Sequence, residues 1–223
     1  MECSLLNTIN GVRHGFGCRD EPLPSFAAQF WLSRPTKKQV HGTKIAVALH
    51  TNQSVGEADG WYTLQKRILL TLVNADCYPV LFARKDGSEI AALHVGWRGA
   101  YHGIIYGLND LIRSKGDDMA GWIAAIGPGA RACCYQVSDT LLKDFSSKFN
   151  LPNSTLSPSY RMLDLPAVIA FQLQEIGIGA FEDLNQCTVC SSINSISPSI
   201  QPTYHSYRRD HTKEVQVSFV VME

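Results

Sequence analysis

The stretch Glu89–Gly116, "EIAALHVGWRGAYHGIIYGLNDLIRSKG", decides the fold class. "EIAALHV" is a short apolar run, as expected of a strand buried on both faces. "GWRG" then reads as a polar turn punctuated by glycine. From His102 onward the period changes: Ile104, Ile105, Leu108, Leu111 and Ile112 fall on one helical face, and Gly116 supplies the stop. A strand passing through a polar turn into an amphipathic helix predicts helices packed on a sheet.

Similar patterns recur along the chain. Thr43–Leu49, Arg67–Val73, Trp122–Ile126 and Val215–Met222 read as further strands. "SDTLLKDFSSKF" reads as a helix with Ser138 as N-cap and Leu141, Leu142, Phe145 and Phe149 as its stripe. "LDLPAVIAFQLQEIG" reads as another, with Pro166 in the first turn, Val168, Ile169, Leu173 and Ile176 inward, and Gly177 at its end. Asn150–Tyr160 and Cys190–Tyr207 are loops by composition. Strands and helices mix without strict βαβ alternation, which predicts an α+β fold with mixed β-sheet and flanking helices rather than a doubly wound parallel one. No Gly/Ser/Pro-rich linker divides the chain, so 1–223 is expected to be a single domain.

Twenty basic residues balance twenty acidic ones, which leaves no net field to draw in nucleic acid or an anionic membrane. The opening "MECSLLNTINGVRHGFG" lacks a basic segment followed by a long apolar run, and no stretch reaches the length of a membrane span. Seven cysteines without regular spacing suit reduced thiols better than a disulfide framework. The expectation is a cytoplasmic protein, monomer or homodimer, with small-molecule partners.

Four segments put reactive side chains beside glycine or proline at strand ends, where a rigid sheet presents loops to a cleft. They are "KQVHGTK" with His41, "VNADCYPV" with Asp76 and Cys77, "ALHVGWRG" with His94 and Arg98, and "YHSYRRD" with His205, Arg208, Arg209 and Asp210. Asp76 and Pro79 around Cys77 favour a turn over mid-strand burial. A Cys/His pair reads either as a thiolate nucleophile with its base or as two metal ligands. Adding His41 gives the three-donor set of an open, catalytic zinc site, though spacing alone leaves both readings standing.

Arg98, between glycines, suits bidentate binding of phosphate or carboxylate. Arg208 and Arg209 are further anion-binding candidates, and each of the three reads equally as a salt-bridge partner. "CTVC" (Cys187–Cys190) has zinc-ribbon spacing, but with no second CxxC it reads as structural or incidental. Cys133 and Cys134 are expected to pack near a turn, since adjacent cysteines rarely reach one metal. His14, in "RHGF", sits in a glycine-flanked turn. His50 and His211 read as structural, and His102 as the entry to the helix that follows it.

The ordered occurrence of "QVHG", "ADCYPV", "HVGWRG", "IGPG", "CCYQV", "LDL", "CTVC" and "SYRRD" closely resembles the laccase-domain family, over nearly the whole chain. Members have been called multicopper polyphenol oxidases. Many are described as purine nucleoside phosphorylases with adenosine deaminase activity, and some bacterial relatives as peptidoglycan-editing enzymes. The resemblance implies a zinc site at His41, Cys77 and His94, able to take copper in vitro, and a fold shared with putative cysteine hydrolases.

It also implies a purine nucleoside and phosphate as substrates: adenosine, inosine and methylthioadenosine converted to free base and (methylthio)ribose 1-phosphate. On that reading Arg98 is the first choice for phosphate, with His14, Arg208 and Arg209 as weaker substrate-binding candidates, and Asp59 of "EADGW" or Asp76 carries the proton. Beside it stand a non-enzymatic binding module, which would tolerate loss of Cys77 or His94, and two enzymatic rivals. One is an amide hydrolase acting on peptidoglycan precursors, with Cys77 attacking and His94 as base. The other is a copper polyphenol oxidase, ranked low because seven histidines are few for a multicopper centre.

Overall fold

The computed structural model describes residues 1–191 and 202–223. Its strands are β1 (Val12–Phe16), β2 (Thr36–Lys38), β3 (Ile45–Val47), β4 (Ser54–Glu57), β5 (Gly60–Thr63), β6 (Leu70–Asn74), β7 (Tyr78–Arg84), β8 (Ile90–Val95), β9 (Trp122–Ile126), β10 (Ala180–Asp183) and β11 (Gln216–Met222). Its helices are α1 (Ser25–Ala28), α2 (Trp97–His102), α3 (Ile104–Arg113), α4 (Asp139–Phe149), α5 (Asn153–Leu156), α6 (Leu165–Glu175) and α7 (Tyr207–Asp210).

A six-stranded sheet in the order β10-β9-β7-β8-β5-β3 forms the middle layer. Its outer pairs, β10 with β9 and β3 with β5, run parallel and its inner pairs antiparallel. This is the expected mixed sheet. On one face Tyr78, Val80, Phe82, Ala91, Leu93 and Val95 pack against α3, α4 and α6. On the other, Leu81, Ala83, Ile90 and Ala92 meet Leu70, Leu72, Val220 and Met222 of an antiparallel sheet ordered β1-β11-β6. Burial on both faces explains why the sequences of β7 and β8 are nearly continuous apolar runs rather than alternating ones.

The three long helices fall where periodicity puts them. Helix α3 buries Ile104, Ile105, Leu108 and Ile112, with Leu111 only partly covered. Each such side chain contributes about 1.5–3 kcal/mol when fully buried. Ser138 caps α4 by accepting from the Leu141 amide at 3.2 Å, and Asp164 caps α6 by accepting from Ala167 at 3.1 Å.

Three local expectations change. "GWRG" is not a turn: Trp97–His102 is helical, so His102 ends α2 rather than opening α3. Gly103 joins the two helices at φ 85°, where a Cβ would lie 2.8 Å from the Tyr106 ring. Pro79 sits inside β7 rather than in the turn before it, at a register position opposite His94. The loop Asn150–Tyr160 contains the single-turn helix α5. Most of the loop Cys190–Tyr207 lies outside the described residues.

Register positions the reactive residues. β8 ends where β7 and β5 begin, Val95 facing Tyr78 and Leu93 facing Gly60. Cys77 precedes β7, Asp59 precedes β5 and His94 closes β8, so all three reach one edge of the central sheet.

Candidate active site

Asp59 organises this edge. Its buried carboxylate accepts four hydrogen bonds, two on each oxygen. Oδ1 takes the His41 amide at 2.9 Å and His94 Nδ1 at 2.9 Å; Oδ2 takes the amides of Val40 at 3.2 Å and Gly42 at 2.7 Å. Burial alone would raise the Asp59 pKa, but the hydrogen bond from His94 and those from Gly42 and Val40 outweigh it and hold the group well below the usual carboxylate range. The amide cradle fixes the loop carrying His41, whose φ of 61° is held against its own preference. With Nδ1–H directed at Asp59, His94 turns Nε2 outward.

The donor atoms of His41, Cys77 and His94 all lie within 4.8 Å of one another, and the two imidazole centroids are 4.9 Å apart. Ligands of a tetrahedral zinc are separated by about 3.4–3.8 Å, so a small inward movement would close them on an ion. Burial, then the neighbouring His41, depresses the His94 pKa against the opposing pull of Asp59, the direction that favours the neutral imidazole a ligand requires. Gly96 leaves room at this point: a Cβ there would stand 2.9 Å from Cys77 Sγ and 3.3 Å from His41 Cδ2. The residues present therefore fit a metal of zinc type, through two imidazoles and a thiolate, with Asp59 orienting one ring.

His41, Cys77 and His94 open onto a cleft of about 1280 Å³ whose wall includes Asn74, Asp76, Tyr135, Tyr207 and Arg208. Asp76, at φ 87°, accepts from Thr188 Oγ1 at 2.6 Å and from the Arg208 amide at 2.7 Å. The Arg208 guanidinium donates to Gln136 O at 2.9 Å and lies over the Tyr135 ring, 4.8 Å from its centroid.

Arg209 turns away. Its guanidinium donates to the carbonyls of Thr188, Val189 and Tyr204 at 2.7–3.0 Å and pairs with Asp210. Arg98 is exposed on α2 beside Trp97; it is not part of the cleft wall, but its charge opposes the rise in the Cys77 pKa. His14 is buried in β1 and accepts the Cys3 amide at Nε2 at 2.7 Å, lining a separate small pocket. His205 pairs with Glu214.

His211, read from sequence as structural, lines the cleft beside Tyr207, their rings meeting edge to face at 5.9 Å. Tyr135 and Asn74 also line it without having been singled out. Lys37 packs near Asp59, where burial brings its ammonium down to about 8. Nothing in "TKKQ" separates it from a solvated lysine.

The family of multi-copper polyphenol oxidoreductase laccases matches residues 26–223. The chain belongs to this family. A protein of Rickettsia conorii named purine nucleoside phosphorylase is 35% identical over 172 residues, 75% of this chain and 70% of that one. An Aquifex aeolicus protein of the same name is 29% identical over 184 residues, 82% of this chain and 80% of its own. Among solved structures, the hypothetical protein YfiH of Bacillus licheniformis superposes with a TM-score of 0.79 at 24% identity, covering 96% of this chain and 94% of that one. YlmD of Geobacillus stearothermophilus gives 0.80 at 22% identity, covering 97% and 93%. These two likenesses establish that the fold is shared with both proteins.

Proposed function

We propose that the chain cleaves purine nucleosides such as adenosine, inosine and methylthioadenosine by phosphorolysis, and deaminates adenosine, with zinc held by His41, Cys77 and His94. The observation that carries this reading is the three-donor cluster opening onto a cleft whose wall combines an arginine with aromatic rings, in a chain whose relatives bear the name purine nucleoside phosphorylase.

In phosphorolysis a phosphate oxygen bonds to C1′ as the C1′–N9 bond breaks and its electron pair leaves with the purine. Charge on both partners has to be met by fixed groups. Arg208 is held at the cleft wall by Asp76 and Gln136 and offers a guanidinium to the phosphate, with Arg98 adding positive charge from α2. Tyr207 and His211 offer aromatic surface to the base. Asp76 lines the cleft and is the carboxylate suited to moving a proton; Asp59 is enclosed and acts through His94. Zinc, when bound, supplies Lewis acidity at the cleft floor, the chemistry that attack at C6 of adenine calls for.

The purified protein is to be incubated with adenosine and phosphate. Adenine with ribose 1-phosphate supports phosphorolysis, and inosine or hypoxanthine supports deamination. Absence of all these products would sink the reading.

A cysteine amide hydrolase acting on peptidoglycan precursors is the second reading, favoured by the alignment of Cys77, His94 and Asp59 in the manner of nucleophile, base and orienter. Against it, burial and then the charges of Asp76 and Asp59 push the Cys77 thiol up to about 12, the wrong direction for a free thiolate nucleophile. Release of an amino acid from a muramyl amino-acid precursor, surviving a chelator, would reverse the ranking.

A further inference from the structure

We infer that Cys133, Cys134, Cys187 and Cys190 form a second metal centre, a structural tetrathiolate site for a zinc-type cation, which braces the cleft wall from behind. Their four sulfurs all lie within 4.8 Å of one another, and Cys133 Sγ is 3.4 Å from Cys190 Sγ. Ligand sulfurs around a tetrahedral zinc stand about 3.8 Å apart at a Zn–S distance of about 2.3 Å. The cluster is already near that size, with all four cysteines unbridged.

The fold explains a convergence that the sequence conceals. β9 and β10 are parallel neighbours, so the segments beyond their C-terminal ends leave the sheet side by side. They stay paired: the Gly129 amide donates to Gln186 O at 3.2 Å and the Thr188 amide to Gly129 O at 3.1 Å. After β9 a tight turn, closed by the amides of Cys134 and Tyr135 on Arg131 O at 2.8 Å each, carries the adjacent pair Cys133 and Cys134. After β10 the turn "CTVC" carries the other two. A CxxC turn facing an adjacent pair thus replaces the missing second CxxC.

Cys187 is buried, and the backbone amides of Arg131, Val189 and Cys190 gather around its sulfur. Amides gathered around one sulfur are the support a metal-bound thiolate needs. Ligation releases a proton from each cysteine that enters as a thiol, the sulfur lone pair replacing its S–H bond with a bond to the ion.

The same turn touches the cleft. Thr188, inside "CTVC", donates to Asp76, the neighbour of Cys77, and the Arg209 guanidinium holds the carbonyls of Thr188 and Val189. Tyr135, next to Cys134, lines the cleft itself. An ion joining the two turns would therefore tie together both supports of the wall carrying Asp76 and Tyr135.

The test uses the full chain, expressed with zinc and kept reduced. The double variant H41A/H94A removes two donors of the cleft site and leaves the cysteine cluster intact. About one zinc should remain bound to it, with sulfur-only coordination by X-ray absorption, and cobalt in its place should give thiolate charge-transfer bands. C187S/C190S should lose these bands. If that variant does not fold, the wild-type folded protein gives the same answer through its thiols: with zinc bound, the four cysteines should resist a thiol reagent, and a strong chelator should expose them. H41A/H94A devoid of zinc in excess metal, four freely reactive thiols in zinc-loaded protein, or a disulfide within the cluster under reducing conditions would each overturn the inference. These readouts do not use nucleoside turnover, so they stand apart from the fate of the proposed activity.

Discussion

Asp59→Asn is the substitution that most directly probes how the cleft site is held. Four donors converge on the carboxylate, two per oxygen, and asparagine turns one of those oxygens into a donor. If the NH2 replaces Oδ2, the amides of Val40 and Gly42 lose their acceptor. If it replaces Oδ1, the His41 amide is orphaned and His94 must expose a bare Nδ1, which moves its proton to Nε2 and removes it as a ligand. The first orientation leaves two buried donors unpaired and the second leaves one, at about 1–3 kcal/mol each, so the expected loss of stability is about 1–6 kcal/mol. Loss of the residue orienting a ligand imidazole typically weakens metal binding by about 10–100-fold.

Urea unfolding of metal-free protein measures the first effect, and zinc competition against a chromophoric chelator the second. Because the Asp59 pKa is depressed in the folded state, its stabilisation is fully present above the unfolded carboxylate's pKa of about 3.9 and is lost as pH falls through the lower folded value. The comparison therefore belongs at neutral pH. An Asp59→Asn protein with unchanged unfolding midpoint and unchanged zinc affinity would refute the assignment of Asp59 as the residue that orients His94.

Three further outcomes follow from the geometry. Gly96→Ala puts a methyl 2.9 Å from Cys77 Sγ at a backbone position (φ −85°, ψ 177°) that alanine tolerates, so circular dichroism should be unchanged while zinc affinity falls roughly tenfold or more. Arg208→Ala should raise the KM for phosphate with little effect on Tm, whereas Arg209→Ala should lower stability by about 2–4 kcal/mol because three carbonyls lose a partly buried charged donor; steady-state kinetics and thermal melts separate the two. Burial lowers His14 to about 4, so the unfolded chain binds its proton first, and stability should fall by about 3 kcal/mol as pH drops from the unfolded value of about 6.5 toward 4. A His14→Gln variant should lose that part of the slope in urea titrations across this range.

Much of the frame was legible in one dimension because its causes are local. The strands Ile90–Val95 and Trp122–Ile126 are apolar runs, and α3, α4 and α6 have the period and end residues of helices, so each announces itself. "GWRG" was misread for a local reason: its glycines suggest a turn, but Gly96 and Gly103 bracket a helix and Gly99 is buried within it. Pro79 likewise suggests a break, yet its register position opposite His94 is held by the pairing of β7 with β8.

The sites divide along the same line. Composition and motif alone named His41, Cys77 and His94 as donors of the right chemistry, because donor type is a property of the residue. Their meeting at one sheet edge depends on which strands pair and in what register. Only the tertiary structure made Asp59 the acceptor of four donors, turned Arg209 inward and Arg208 toward the cleft, and brought His211 to its wall. The clearest case is the cysteines. Cys133 and Cys134 read as a packed pair and "CTVC" as incidental, since nothing local joins segments more than fifty residues apart; the parallel pairing of β9 with β10 brings their ends together. The sequence by itself determined which side chains were available and which segments could form strands and helices, because those depend on short-range chemistry. Their convergence was decided by long-range strand pairing, which arises only when the chain buries both faces of its central sheet.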